Sequence, residues 1–277
     1  TTRKAIEIKP DYAEAHSNLG TILKDLGKLH VAELSTRKAI EFKPDYAEAH
    51  CNLGVILNEL GKLKEAELAL RKAIELKPDI TDAHTTLGLI LLTKGENPLS
   101  LQCFSKSAEL LRGQKLKDSN HSKFKDISKA KIDHDIEQFE YLVSQGYEVK
   151  KFNDLAMLYK KIATEIDWPS ETKLILLNNQ HQILLKDSYN RLIHIIDAPR
   201  FAKEAVNNSL NIEAITKNYF DHEFGLTYID NFLSPIAIES LRKFLLGSTI
   251  WFEVKKSGYL GAYLKEGLAS PLIIQIA

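Results

Sequence analysis

The sequence predicts a mainly α-helical protein: a solenoid of stacked antiparallel helix pairs, then a helical connector and a small, incomplete α+β segment. Three observations carry this expectation. A block of about eighteen residues recurs at a spacing of 34, as RKAIEIKPDYAEAHSNLG (3–20), RKAIEFKPDYAEAHCNLG (37–54) and RKAIELKPDITDAHTTLG (71–88). Helix-stopping residues punctuate each copy at matching places. After about residue 219 the pattern changes to short alternating apolar runs separated by turn residues.

Within each repeat, Pro10, Pro44 and Pro78 end the preceding helix, because proline lacks the amide proton that a helix interior needs. Asp11, Asp45 and Asp79 then read as N-caps, with Glu14, Glu48 and Asp82 three residues on in a capping-box arrangement. Gly27, Gly61 and Gly95 fall where a helix closes through a left-handed residue. Leu19, Ile22, Leu23 and Leu26 share one expected face of the first helix, and Ala32, Ala39 and Ile40 one face of the second. A helix pair this short cannot bury its stripe alone, so stacking of about three pairs is required.

These residues resemble the tetratricopeptide repeat family, which implies a right-handed superhelix whose first helices line a concave groove. Gly20, Gly54 and Gly88 match the family's small position where paired helices approach closely; Ala32, Ala66, Ala39 and Ala73 match its other small positions. His16, His50 and His84 stand where the family often has tryptophan. They lie a full repeat apart, too far to share one metal ion, and read as core or boundary residues. The third copy departs in its second half, where Ser100 and Ser107 replace alanines, Phe104 fills a larger slot and Arg112 replaces proline. That departure suggests the end of the array and a capping helix beyond it. Residues 1–10 read as the tail of an incomplete repeat, so a longer parent array is expected upstream.

The resemblance implies a protein- or peptide-binding scaffold. Groove positions would be Ser17, Thr21 and Lys24, then Cys51, Val55 and Asn58, then Thr85, Leu89 and Leu92. Asn18 and Asn52 sit where the repeats of protein O-linked N-acetylglucosamine transferases carry an asparagine ladder. An amide offers both donor and acceptor to an extended peptide backbone. The alternative is that both amides bond within the solenoid or face solvent, since Thr86 interrupts the row. Asp25 and Glu59 neighbour Lys24 and Asn58, which argues against a dedicated clamp for an acidic terminus.

The stretch 112–131, RGQKLKDSNHSKFKDISKAK, reads as a solvated linker, and 113–218 as linker and helical connector with amphipathic helices around DHDIEQFEYLVSQGY and FNDLAMLYKKIATEI. LLKDSYNRLIHIIDAPR reads as extended. In 219–277, Leu226 to Ile229 read as a strand, Asp230-Asn231 as a turn, and Ser234-Pro235 as the cap and first position of a helix with Ile238, Leu241, Phe244 and Leu245 on one face. TIWFEV and SGYLGAYL read as strands. This succession is similar to the lead-in of the prolyl-hydroxylase-like iron(II)- and 2-oxoglutarate-dependent oxygenases. That resemblance implies a parent with Fe(II) and 2-oxoglutarate bound beyond residue 277. None of the nine histidines has Asp or Glu two residues on, so no metal, cofactor or catalytic residue is expected within this chain. The final EGLASPLIIQIA reads as a helix capped by Ser270, with Leu272, Ile273 and Ile276 facing a β-core absent from the chain.

Composition bounds the rest. Lys plus Arg and Asp plus Glu each total 37 of 277 residues, so no net field recruits nucleic acid or anionic lipid. Two cysteines give no disulfide framework and fit a reducing, cytoplasmic setting. No apolar run is long enough to span a membrane.

Overall fold

The computed structural model describes residues 2–113, 122–202, 205–254 and 260–276. The chain forms two compact units, one of residues 1–116 with 264–266, the other of residues 117–263 with 267–277.

The first unit is a solenoid of antiparallel pairs. After a short α1 (Thr2–Ile8), α2 (Ala13–Asp25) pairs with α3 (Leu29–Phe42), α4 (Ala47–Glu59) with α5 (Leu63–Leu76), and α6 (Thr81–Thr93) with α7 (Asn97–Arg112). The first helices α2, α4 and α6 also pack against one another in series. Each stop acts as expected: α1, α3 and α5 end two residues before Pro10, Pro44 and Pro78. Gly27, Gly61 and Gly95 take φ of 72°, 73° and 74°, and the amide of Lys28 returns to the Leu23 carbonyl at 2.9 Å.

The caps differ from expectation. Tyr12, Tyr46 and Ile80, not the aspartates, occupy the N-cap, and no side chain bonds the helix start there. A turn closed by Tyr12 N–H to the Lys9 carbonyl, 3.1 Å, places Asp11 one residue too early to cap. The first-turn acids are used differently, across repeats: Glu14 accepts from Lys43 at 3.2 Å and Glu48 from Lys77 at 2.8 Å. Hydrogen bonds from its own backbone and from Lys43 hold the Glu14 carboxyl below its usual range, and Lys77 does the same for Glu48.

The inner stripe is also narrower than predicted. Leu23 is buried and Leu19 half-buried, but Ile22 and Leu26 are exposed. In their place His16, Ser17 and Gly20 face inward, because Gly20 lets α3 approach so closely that an added Cβ would lie 2.1 Å from Thr36 Oγ1. The substitutions in the third copy keep the contact. Ser100 Oγ donates to the Gly88 carbonyl at 2.8 Å, and Phe104 fills the site beside Gly88. The array ends on Arg112, buried and paired with Glu266 at 2.9 Å; Glu266 lies in the 3₁₀ turn Leu264–Glu266 that packs against α7 within this unit. A distant turn therefore stands where a capping helix was expected.

In the second unit, α8 (Lys129–Ser144) and α9 (Val149–Glu165) form the antiparallel pair expected around Gly146, which has φ of 81°. Their apolar faces meet in a core of Phe139, Phe152, Tyr159, Ile132 and Leu142. The pair therefore builds its own core rather than lengthening the solenoid. Helix α8 begins inside the stretch read as linker, capped by Ser128, whose side chain accepts from the Lys131 amide; 114–121 lie outside the described residues. Strands β1 (Asp126–Ile127) and β2 (Ile175–Leu176) pair antiparallel, followed by α10 (Asn179–Leu185) and an extended run through 191–200. That run is held by side chains: Thr249 Oγ1 accepts from the amides of Ile193 and His194, and Ser248 Oγ from Ile196.

Helix α11 (Ile212–Asp221) buries none of its residues, and Leu226 to Ile229 form no strand. The described neighbours give that run no ladder, and Tyr228 is 96% exposed; the isolated bridge of Val206 with Leu233 lies beyond it. Ser234 caps α12 (Pro235–Gly247) as predicted, its side chain accepting from the Ala237 amide. The buried face is Ala237, Phe244 and Gly247 instead of one including Ile238, because Gly247 packs directly against Ile196. Of TIWFEV and SGYLGAYL, Glu253–Val254 (β3) pairs with Leu260–Gly261 (β4), and 255–259 lie outside the described residues. Ser270 caps α13 (Pro271–Ile276) as predicted. Its apolar face corrects the expectation of an absent core, since Leu272 is fully buried with Ala198, Phe244 and Ile250, and Ile273 and Ile276 pack on that cluster.

Candidate functional site

The first helices of the solenoid put three rows of side chains at the 34-residue period. The row Ser17, Cys51 and Thr85 turns inward and joins neighbouring helices. Ser17 is 1% exposed and accepts from Asn52 Nδ2 at 3.0 Å; Thr85 Oγ1 bonds Ser107 Oγ at 2.8 Å. Cys51 is buried, and burial pushes its thiol up to about 12, so it presents no nucleophile at neutral pH.

The other two rows remain accessible: Thr21, Val55 and Leu89 in one, Lys24, Asn58 and Leu92 in the other. Leu89 is the most open of the apolar ones, at 43%. Lys24 pairs with its neighbour Asp25 at 3.2 Å in solvent, an interaction of small worth. Asn18 is exposed, whereas Asn52 is half-buried and already donates to the preceding repeat. The two amides that the sequence places in one ladder thus have different surroundings.

Each repeat histidine has a fixed local role. Nε2 of His16, His50 and His84 lies 2.8, 2.8 and 2.9 Å from the carbonyl oxygens of Pro10, Pro44 and Pro78. The imidazole ties the loop ahead of each first helix to the helix itself. The signal was present in the sequence as a proline six residues before every repeat histidine. Among the described residues no group of three or more His, Cys, Asp or Glu side chains is placed to hold a metal ion.

Sequence reasoning missed a second recurring feature. Grooves open between successive second helices, one of about 520 Å³ over Leu53, Leu57 and Ala69 and one of about 390 Å³ over Leu87 and Cys103. Arg37 and Lys72 border the first, and Arg71 and Lys106 hold the same places 34 residues later in the second. The recurrence of these basic residues was visible in the sequence, but which helices they separate was not. The solenoid's outer charges are largely paired: Glu33 accepts from Arg37 at 3.0 Å and Lys62 at 2.8 Å, and Glu67 from Arg71 and Lys94.

Comparison with known proteins places the repeat itself. Residues 13–46 and 47–80 each match a model of the tetratricopeptide repeat. No curated protein matches the chain. Among solved structures it is similar to the first TPR of Spaghetti (RPAP3) bound to HSP90 peptide SRMEEVD. Identity there is 19%, over 36% of this chain and 79% of that one, with a TM-score of 0.35. It is also similar to MamA, at 24% identity over 59% of this chain and 83% of that one, with a TM-score of 0.37. Among the described residues, no helix is long and apolar enough to cross a membrane.

Proposed function

We propose that residues 1–112 are a docking module that holds a protein or an extended peptide along α2, α4 and α6. The observation that supports this reading is the pair of accessible rows, Thr21–Val55–Leu89 and Lys24–Asn58–Leu92, laid across three helices packed in series. Both rows run from polar to apolar along the array, so the favoured segment carries polar or acidic groups toward α2 and apolar side chains toward α6. Asn18 and Asn52 flank the rows; Asn52 keeps its carbonyl oxygen for a peptide amide while its Nδ2 is engaged with Ser17.

The test is a peptide-array screen of the full chain, followed by titration of the selected peptides against variants. Val55→Glu and Leu89→Glu each place a charge where an apolar contact is expected and should weaken binding about tenfold or more. Unchanged affinity in both would place the docking surface elsewhere. Asn18→Ala and Asn52→Ala separate the ladder from the rows: if they bind like the parent, the asparagines have no part in recognition.

A second reading concerns the parent protein. The succession behind the oxygenase resemblance keeps its capped helix, α12 from Ser234-Pro235, and the β3–β4 pair, but lacks its leading strand at 226–229. The residues of this chain do not supply a His-x-Asp/Glu ligand pair, so Fe(II) and 2-oxoglutarate would be held by other parts of the parent and no step is assigned here. On this reading the chain divides into 1–112, the connector 113–218 and the lead-in 219–277, with the repeats recruiting the substrate. The reading frame following residue 277 tests it: a His-x-Asp or His-x-Glu pair and a later histidine support it, and a stop codon ends it.

A further inference from the structure

The second unit contains a pocket of about 570 Å³ between α8 and the end of α12, independent of the repeat surface. One face of α8 supplies Ala130, His134, Glu137 and Tyr141, spaced at four, seven and eleven residues as a helix face requires. Leu246 and Trp251 close the other side. The volume is that of a small-molecule site, and the lining has the usual form of apolar walls with a few polar groups.

The walls are fixed in position. Trp251 Nε1 donates to the Leu245 carbonyl at 2.9 Å, which sets the plane of the indole, and the His134 ring meets that indole edge-on at 6.3 Å between centroids. Gln138, next along α8, donates to the carbonyls of Leu246 and Ser248 at 3.3 and 2.7 Å and so locks the two helices together. The opening is therefore built into the fold rather than left by loose packing.

Its described lining carries one formal charge, and it is negative. Among the described lining residues, Glu137 carries the single formal charge and is exposed at the rim. Burial, with the positive charge of Lys131 adding to it, lowers the His134 pKa to about 4, so the imidazole is neutral at physiological pH. An indole face and a phenol ring offer their negative quadrupoles to a cation, and Lys131, the cation felt at His134, is offset by its own partner Asp135. Among the described lining residues, an anion would meet Glu137 and no cationic side chain.

We propose that this pocket binds a small organic cation, an ammonium group carried on an apolar or aromatic body, with the body between Leu246 and Tyr141, the charge over Trp251, and Glu137 as its counter-ion.

The experiment uses three probes that share one body: phenethylammonium, 2-phenylethanol and phenylacetate. Each is titrated into the full chain by isothermal calorimetry, and into Trp168→Phe by fluorescence, so that Trp251 alone emits. The cation is expected to bind saturably, in the millimolar range for so small a ligand, and to quench Trp251. The alcohol should bind about fivefold more weakly and the carboxylate more weakly still. Glu137→Gln should remove about threefold to fivefold of the preference for the cation, as for a solvent-exposed charge pair. Ala130→Phe, which fills the pocket from the half-buried start of α8, should abolish the response to all three while leaving the urea midpoint at that of the parent. Carboxylate binding equal to that of the cation overturns the proposal. So does an undiminished response in Ala130→Phe, or the absence of saturable binding by any probe in the calorimeter.

Discussion

Lys131→Met is expected to lower the stability of the second unit by about 3–5 kcal/mol, the cost of leaving one member of a buried ion pair without its partner. Lys131 and Asp135 sit four residues apart on α8, are 3% and 6% exposed, and bond each other through Nζ and Oδ1. The ammonium also lies over the Tyr189 ring, 5.6 Å from its centre. Burial pushes the Asp135 carboxyl up even with Lys131 beside it, so the charged form depends on that neighbour. A carboxyl raised in the folded state favours folding below its folded pKa and loses that contribution as pH rises through it. Removing Lys131 takes away the charge that holds this carboxyl down, so Asp135 in the variant takes up its proton at higher pH than in the parent, and the deficit should shrink as pH is lowered below neutral. Urea unfolding followed by tryptophan emission measures this cleanly, because Trp168 and Trp251 both lie in the second unit and the solenoid has no tryptophan. The double variant Lys131→Met/Asp135→Leu should recover most of the loss. A single variant as stable as the parent would show that the pair is not sealed from water.

The second large effect is expected at Gly54. A Cβ added there would lie 2.5 Å from Cγ and 2.7 Å from Cδ2 of Leu70, which is fully buried, and 3.2 Å from the Ala66 carbonyl oxygen. Leu70 cannot rotate away without opening the core shared with Leu53, Leu57 and Leu87. Gly54→Val should destabilise the solenoid by roughly 2–3 kcal/mol, seen as a lower midpoint in the helical circular dichroism signal with tryptophan emission unmoved. Gly61 is the contrasting case. Its φ is 73° with nothing within 4 Å of an added Cβ, so Gly61→Ala should cost only the backbone term, about 1 kcal/mol. Equal effects at the two sites would refute the distinction between close approach and left-handed geometry.

How much of this was legible depended on whether a contact is local or repeated. The prolines, the left-handed glycines and the close-approach glycines act within one repeat and recur, so their meaning could be read three times over. Asp11 misled because its spacing to Glu14 fits a capping box, while the turn that displaces it by one residue is closed by a backbone bond that leaves no mark on the sequence. Ser17 and Cys51 were expected in the groove because their positions match a family pattern, yet the packing of α2 on α4 turns them inward. In the second unit the decisive contacts join residues far apart in sequence. Thr249 substitutes for a strand neighbour of 193–194, and Leu272 finds its core at Ala198 and Phe244. No periodicity announces such pairs. The pocket beside α8 was unreadable for the same reason: α8 offers its face at helical spacing, but Trp251 reaches it from more than a hundred residues away.

The inward turn of Cys51 has a kinetic meaning. A thiol raised to about 12 and sealed by Leu53, Leu87 and its neighbours is chemically silent while the repeats stay stacked. Cys103, half-buried and also raised by burial, lies against the same cluster. The Cys51 sulfur becomes available when α4 parts from α5 and α6, whereas Cys103, on the wall of the groove between α5 and α7, serves as the partly open reference. The rate at which Cys51 is alkylated, relative to Cys103, then measures how often the array opens at its second and third repeats, a local event that unfolding of the whole chain would conceal. Cys51 is in effect a clock for the solenoid's breathing, placed at the joint between adjacent repeats.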